Sequence, residues 1–223
     1  MNHNRLSRPP EVKKIDSLLQ MADSIERAAR DIALVDPEII LYACTSGSFL
    51  MGAGREDEVA RRIFDITGIP AISTSTAVVC ALRAVKARRV FMVTPYPDDI
   101  NVREVEFLKH YDIEVGGWDS FRQATSAGNR SISSEQVAEL IRKHAQEARE
   151  CNAVFISCTN LLSFDQIVGL ENELGTPVIS SNLASLWALL RYLNIDTLSM
   201  QAGSLFGYCG PVDVTGAEAA LAT

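Results

Sequence analysis

Residues 39–48 read I-I-L-Y-A-C-T-S-G-S, and the same design returns at residues 154–160 as V-F-I-S-C-T-N. In each copy a short apolar run, rich in β-branched and aromatic residues, stops at Cys-Thr and small polar residues. That is the pattern of a buried strand whose carboxyl end opens into a loop. The flanking sequence repeats too: residues 68–85 read G-I-P-A-I-S-T-S-T-A-V-V-C-A-L-R-A-V and residues 175–190 read G-T-P-V-I-S-S-N-L-A-S-L-W-A-L-L. Two similar half-chains, each offering one thiol at the end of a strand, predict an α/β protein of two pseudo-twofold halves with Cys44 and Cys158 facing each other across a cleft. Each half is expected to be a parallel sheet flanked by helices. Residues 1–72 with 176–206 form the first half, 73–175 the second, and 207–223 an irregular tail.

Outward from the thiols, the chain alternates strands and helices, which implies parallel pairing and right-handed crossovers. Val12, Ile15, Leu18, Leu19, Ala22 and Ile25 recur at helical spacing and predict one amphipathic helix over 11–33, with Pro9 and Pro10 at its start. A helix is expected over 56–66, ending at Gly68, then a strand over 71–73 and a helix over 77–86 capped by Thr74 or Ser75. The run 89–93 reads as a strand that leads into T-P-Y-P-D-D, so Tyr96 sits in a loop at another strand's carboxyl end. A helix over 100–111 carries Val102, Val105 and Leu108 on one face. Residues 113–115 read as a strand and 118–131 as irregular. Ser133 opens a capping signal with Gln136 for a helix reaching Glu150. A helix over 164–174, a strand over 178–180 and a helix over 183–193 follow. Beyond Phe206 the periodicity is lost, and the tail is expected to be mobile or loosely docked.

Composition narrows the function. Of 223 residues, 47% are hydrophobic and 22% charged, ordinary for a chain that buries a core. The net charge of -7 disfavours nucleic acid or an anionic membrane as partner, since either selects a basic face. It leaves room for a small anion held by local N–H donors. No run is long enough to span a bilayer and residues 1–10 are polar and basic, so a cytoplasmic protein is expected. The five cysteines show neither C-x-x-C nor Cys/His ligand spacing, so no disulfide framework and no metal site is predicted. Cys80 and Cys151 read as packing residues, and His110 and His144 as packing or surface residues.

Two thiols on opposite sides of a planar carbon centre do what one cannot: one adds to a double bond or removes a proton while the other delivers a proton from its own side. Charge developing on the substrate needs donors, and Thr45, Ser46, Ser75, Tyr96 and Thr159 lie at strand ends where they can supply them.

The motifs A-C-T-S-G-S-F-L, T-P-Y-P-D-D-I-N-V-R-E-V-E-F-L and I-S-C-T-N-L, in that order and with a cysteine at both thiol positions, resemble maleate cis-trans isomerase within the Asp/Glu racemase superfamily, which also holds arylmalonate decarboxylase. The resemblance covers about residues 5–206. It implies Cys44 as the nucleophile that adds to a maleate alkene carbon, and Cys158 as the acid/base partner on the neighbouring carbon. It further implies Tyr96, Thr45, Ser46, Thr159 and the loop residue Asn129 as contacts to the substrate carboxylates, with no cofactor. The decarboxylases carry glycine at the position of Cys44. The family's opening strand and P-S-x-N loop have no counterpart ahead of the helix near Glu11, so the first strand is expected to be missing and the sheet edge left open there to favour a homodimer. Racemisation of an acidic amino acid or hydantoin by the same two thiols is the second reading. A non-catalytic, carboxylate-binding remnant is the third.

Overall fold

The computed structural model describes residues 1–7 and 14–217. The strands are β1 (Ile40–Tyr42), β2 (Ala71–Ser73), β3 (Arg89–Thr94), β4 (Glu114–Ser120), β5 (Ala153–Ile156) and β6 (Val178–Ser180). All strand pairs are parallel and form two sheets, β1-β2 and β4-β3-β5-β6, as the alternation of elements predicts. Among the described residues, β1 has β2 as its one strand neighbour. Strand β6, grouped with the first half by the sequence division at 176, pairs with β5 in the larger sheet.

The helices are α1 (Lys14–Gln20), α2 (Ile25–Ala33), α3 (Thr45–Phe49), α4 (Glu58–Thr67), α5 (Thr74–Ala84), α6 (Asp98–His110), α7 (Ser126–Arg130), α8 (Ser134–Lys143), α9 (Ala145–Arg149), α10 (Ile167–Leu174) and α11 (Ser181–Tyr192). One core lies between α2, α4 and the small sheet and is built on Met21, Ile25, Ile40, Tyr42, Val59 and Ile63. A larger core surrounds the four-stranded sheet and includes the buried aromatics Phe91, Phe155, Trp187 and Phe206. Burying a side chain of this size contributes roughly 1.5–3 kcal/mol each.

Several expectations need correction. The single helix over 11–33 is broken by one 3-10 turn at Met21–Ser24. Ser24 Oγ donates to the Met21 carbonyl at 2.9 Å, a back-bond that tightens the turn. The expected helix start at Pro9 and Pro10, and Val12, lie outside the described residues. Helices α5 and α11 start directly at the ends of β2 and β6. Ser73 and Ser180 are the caps in place of Thr74 or Ser75, each accepting an N–H at 3.1 Å, from Thr76 and Leu183. A strand's last residue is already extended and so serves as N-cap without an intervening loop.

Strand β4 runs on to Ser120, through a bulge opposite Val90 and Phe91 where Gly116 and Gly117 lower its strand character. Part of the segment expected to be irregular is α7, capped by Thr125, whose Oγ1 accepts from Gly128 N–H at 3.0 Å. The helix expected to reach Glu150 is two helices broken at His144, whose Nε2 lies 2.9 Å from Asp119 Oδ2. The buried face of α6 is Ile100, Asn101, Glu104, Phe107 and Leu108, and Val102 is exposed. The capping box is present: Ser133 Oγ accepts from Gln136 N–H, and Gln136 Oε1 accepts from Ser133 N–H.

The tail is irregular but docked through residue 217. Thr215 and Ala71 exchange both backbone hydrogen bonds at 3.0 Å, which satisfies groups on the edge of β2. Trp187 Nε1–H donates to the Tyr208 carbonyl at 3.2 Å. No helix among the described residues is long and apolar enough to cross a membrane.

Candidate active site

Each thiol sits where a parallel strand ends and the chain turns. After β1, Cys44 remains extended (φ -152°) and caps α3, its Sγ accepting the Gly47 N–H at 3.3 Å. Glycine is required at 47: a Cβ there would stand 2.4 Å from Tyr42 Oη and 2.9 Å from Cys44 Sγ, displacing the thiol. After β5, Cys158 takes φ +111°, a strained conformation for a residue with a side chain. Its Sγ accepts the Asn160 N–H at 3.4 Å. The duplicated strands therefore deliver their sulfurs by different backbone routes. Cys44 is partly exposed and Cys158 is buried.

The structure brings the two thiol loops together. Thr45 Oγ1 donates to Ser181 Oγ at 2.9 Å, and Cys158 N–H donates to the same oxygen at 3.1 Å. Thr159 Oγ1 donates to the Ala43 carbonyl at 3.3 Å, a second link across the halves. Tyr96, 1% exposed, is hydrogen-bonded to the Cys158 sulfur and feels the charge of both thiols. Its carbonyl accepts from Asn101 Nδ2 at 3.1 Å and from the Ser120 hydroxyl.

Asn129, expected in a loop, is held on α7, buried, with Nδ2 3.9 Å from Cys158 Sγ and Oδ1 without a hydrogen-bond partner among the described residues. Ser46 lies in the first turn of α3, where helix geometry leaves N–H groups without intrahelical acceptors. Ser75 stands behind α3: its Oγ donates to the Thr45 carbonyl at 3.1 Å and accepts from Ser48 Oγ at 2.7 Å. Among the described residues no group of three or more His, Cys, Asp or Glu is placed to hold a metal ion. A separate cavity of about 430 Å³ is lined by Glu56, Arg83, Tyr111 and Asp213 and contains none of the predicted site residues.

Burial pushes the Cys158 thiol up to about 11, against the Asn160 N–H and the Tyr96 hydroxyl, which favour the thiolate. At neutral pH it is a protonated thiol, fit to donate. Burial, then the charges of Cys158, Glu104 and Cys44, hold the Tyr96 phenol well above its usual range, so it too is neutral and a donor.

Sequence reasoning missed two residues. Ser181, which bridges the thiol loops, lies inside the repeated segment, opposite Thr74 of the first copy, and Thr74 Oγ1 donates to the carbonyl of Tyr42 at the end of β1. Comparing the copies position by position would have found it. Glu104 lies three residues after Asn101 on α6 and is 1% exposed. Its Oε1 accepts from Ser157 Oγ at 2.5 Å, and its Oε2 has no hydrogen-bond partner among the described residues.

Burial raises Glu104 from the ordinary 4.5 to about 8, only partly opposed by Ser157. The sign for stability follows from proton binding. Between about 4.5 and about 8 the folded protein keeps a proton that the unfolded chain has released, so stability is full below that window and falls as pH rises through it. Glu104→Gln is expected to remove this component of the pH slope, on the order of a few kcal/mol. Thermal melts of both proteins at pH 5 and pH 8 read it, and parallel pH dependence in the two refutes it.

Comparison with known proteins places this architecture. A family model described as arylmalonate decarboxylase matches residues 12–206. Arylmalonate decarboxylase of Bordetella bronchiseptica is 30% identical over 169 residues, 76% of this chain and 70% of that protein. Maleate isomerase of Nocardia farcinica is 30% identical over 196 residues, 85% of this chain and 77% of that protein. The structure of a cysteine-to-serine mutant of Nocardia farcinica maleate cis-trans isomerase, with a covalently bound succinylcysteine intermediate, superposes with a TM-score of 0.80 at 28% identity, covering 86% of this chain and 80% of that one. In accord with the resemblance of its three motifs, this chain is a member of the arylmalonate decarboxylase family, with maleate isomerases among its relatives.

Proposed function

We propose that this chain isomerises maleate, or a similarly small unsaturated dicarboxylate, to the trans isomer without a cofactor. The observation that carries the reading is that the Cys44 and Cys158 loops, at corresponding strand ends, meet on the Ser181 oxygen, with Tyr96 hydrogen-bonded to the second thiol. The succinylcysteine in the Nocardia farcinica relative supports it, because addition of a thiol to maleate produces that group.

In this reading the Cys44 thiolate forms a C–S bond to one alkene carbon while Cys158 gives its proton to the neighbouring carbon. The former double bond is now single and rotates. Cys158 takes a proton back from that carbon, the C–S bond breaks, and fumarate leaves with atoms and charge balanced. Thr45, Ser46, Thr159, Tyr96 and Asn129 hold the two carboxylates, Thr45 and Thr159 through their backbone N–H groups because their hydroxyl protons are given to Ser181 and the Ala43 carbonyl, and Ser75 supports α3 from behind. A neutral Cys158 suits the role of proton donor.

Incubation with maleate, followed by proton NMR, is expected to show fumarate accumulating without added metal or nucleotide. No turnover by folded protein overturns the reading. Deuterium wash-in at the α-carbon of aspartate, glutamate or a hydantoin, with maleate left untouched, replaces it with racemisation.

A further inference from the structure

The Cys158 half of the site rests on a carboxyl group for which the chemistry above has no role. Glu104 enters from α6 and reaches Ser157, the residue immediately before Cys158, at 2.5 Å. Asn101, one turn earlier on α6, holds the Tyr96 carbonyl at 3.1 Å and accepts from Thr94 Oγ1 at 2.5 Å. One helix face therefore grips both the strained Cys158 loop and the Tyr96 loop that bonds its sulfur.

Among the described residues no cation neutralises Glu104. The titratable groups that face it are Tyr96 from the loop after β3 and Cys158 from the end of β5. Helix α3, packed on α6, brings Phe49 against Phe107 and no titratable side chain. The titratable residues of β4 are engaged elsewhere, Glu114 with Arg89 and Asp119 with His144, Arg122 and Lys143. A carboxylate in such surroundings, with one oxygen unpartnered, is costly, whereas a carboxylic acid is not.

We propose that Glu104 is a positioning residue for Cys158: as a neutral acid it fixes Ser157 and the thiol's backbone, and when ionised it sets a negative charge beside Cys158 and Tyr96 that withdraws the thiol from proton transfer. The inference rests on the proposed role of Cys158 as acid/base partner, and it deepens that role by adding a pH gate. Glu104 touches no reacting atom; it acts through Ser157 and through its field. Burial that holds its proton to about 8 puts the gate within reach of mildly alkaline conditions.

The experiment is peptide-resolved alkylation by iodoacetamide across pH 6–10, in Cys44→Ser protein with no substrate present. With Glu104 intact, the rise of Cys158 labelling with pH is expected to flatten near pH 8, as a like charge appears beside the thiol. In Glu104→Gln the flattening is expected to vanish, with labelling at pH 9.5 about tenfold faster, the size of effect that one nearby like charge exerts. Ser157→Ala, which keeps the carboxyl but removes its one hydroxyl donor, is expected to move the flattening to higher pH. Should Glu104→Gln fail to fold, the Ser157→Ala profile carries the test. Identical profiles in all folded variants overturn the proposal. Labelling requires no turnover, so a Glu104-dependent profile in a protein that leaves maleate untouched counts against the isomerase reading alone.

Discussion

Cys44→Ala is expected to lower maleate turnover by at least about a thousandfold, since loss of a covalent nucleophile leaves only positioning and charge stabilisation to act. The fold should tolerate the change. Cys44 is partly exposed, so no closed cavity forms, and the substitution removes a 3.3 Å bond from Gly47 N–H at the start of a five-residue helix. Neighbouring donors remain in place: Thr45 stays bonded to Ser181, and Ser75 stays bonded to the Thr45 carbonyl. The informative comparison is therefore between kcat, which collapses, and the affinity for a non-reacting dicarboxylate such as succinate, which changes little. A variant that keeps more than about a tenth of the wild-type rate ends the covalent route through Cys44.

Cys158→Ser is the second large effect. A hydroxyl at 158 can still accept the Asn160 N–H and meet the Tyr96 hydroxyl, so the loop geometry survives. What disappears is acidity: an alcohol is a much weaker acid than a thiol, and slowed proton transfer of this kind costs roughly 10²–10⁴ in rate. Turnover is expected to fall by about that factor while the Cys44 adduct persists, since breaking it needs a base at 158 to recover the proton. Intact mass spectrometry after prolonged exposure to maleate should then find the chain heavier by one maleic acid, with the added mass on the Cys44 peptide. A slow variant with no adduct would place the loss at the first step, where residue 158 gives its proton, whereas a variant that keeps more than about a tenth of the wild-type rate would assign the proton duties to some other group.

Sequence alone discloses the parts of this molecule that repeat or alternate. Strand ends carrying Cys44 and Cys158 stand out because each copy breaks from apolar to small polar residues at the same point, and Tyr96 because Thr94-Pro95 ends a strand. The missed residues around the site are polar side chains with buried partners. Asn101 and Glu104 point into the core, yet a search for apolar periodicity favours Val102 on the opposite face, which is half exposed. Strand β4 reads short in sequence because Gly116 and Gly117 lie at its bulge, where a missing side chain looks like a turn. The docked tail has no period to detect, since it is held at single points: one bridge to Ala71 and one indole bond from Trp187. His144 ends a helix through a partner, Asp119, that lies 25 residues away in sequence and is invisible to local rules.

The oxygen of Ser181, shared by Thr45 and by the Cys158 amide, has a consequence for selectivity. Both reactive walls are referenced to one atom, so the gap between them behaves as a caliper with a set jaw. A guest with a longer spacer between its carboxylates must either break a buried bond or sit askew, with one sulfur out of line. In the proposed reaction, a preference for short, flat diacids is thereby written into one buried hydroxyl.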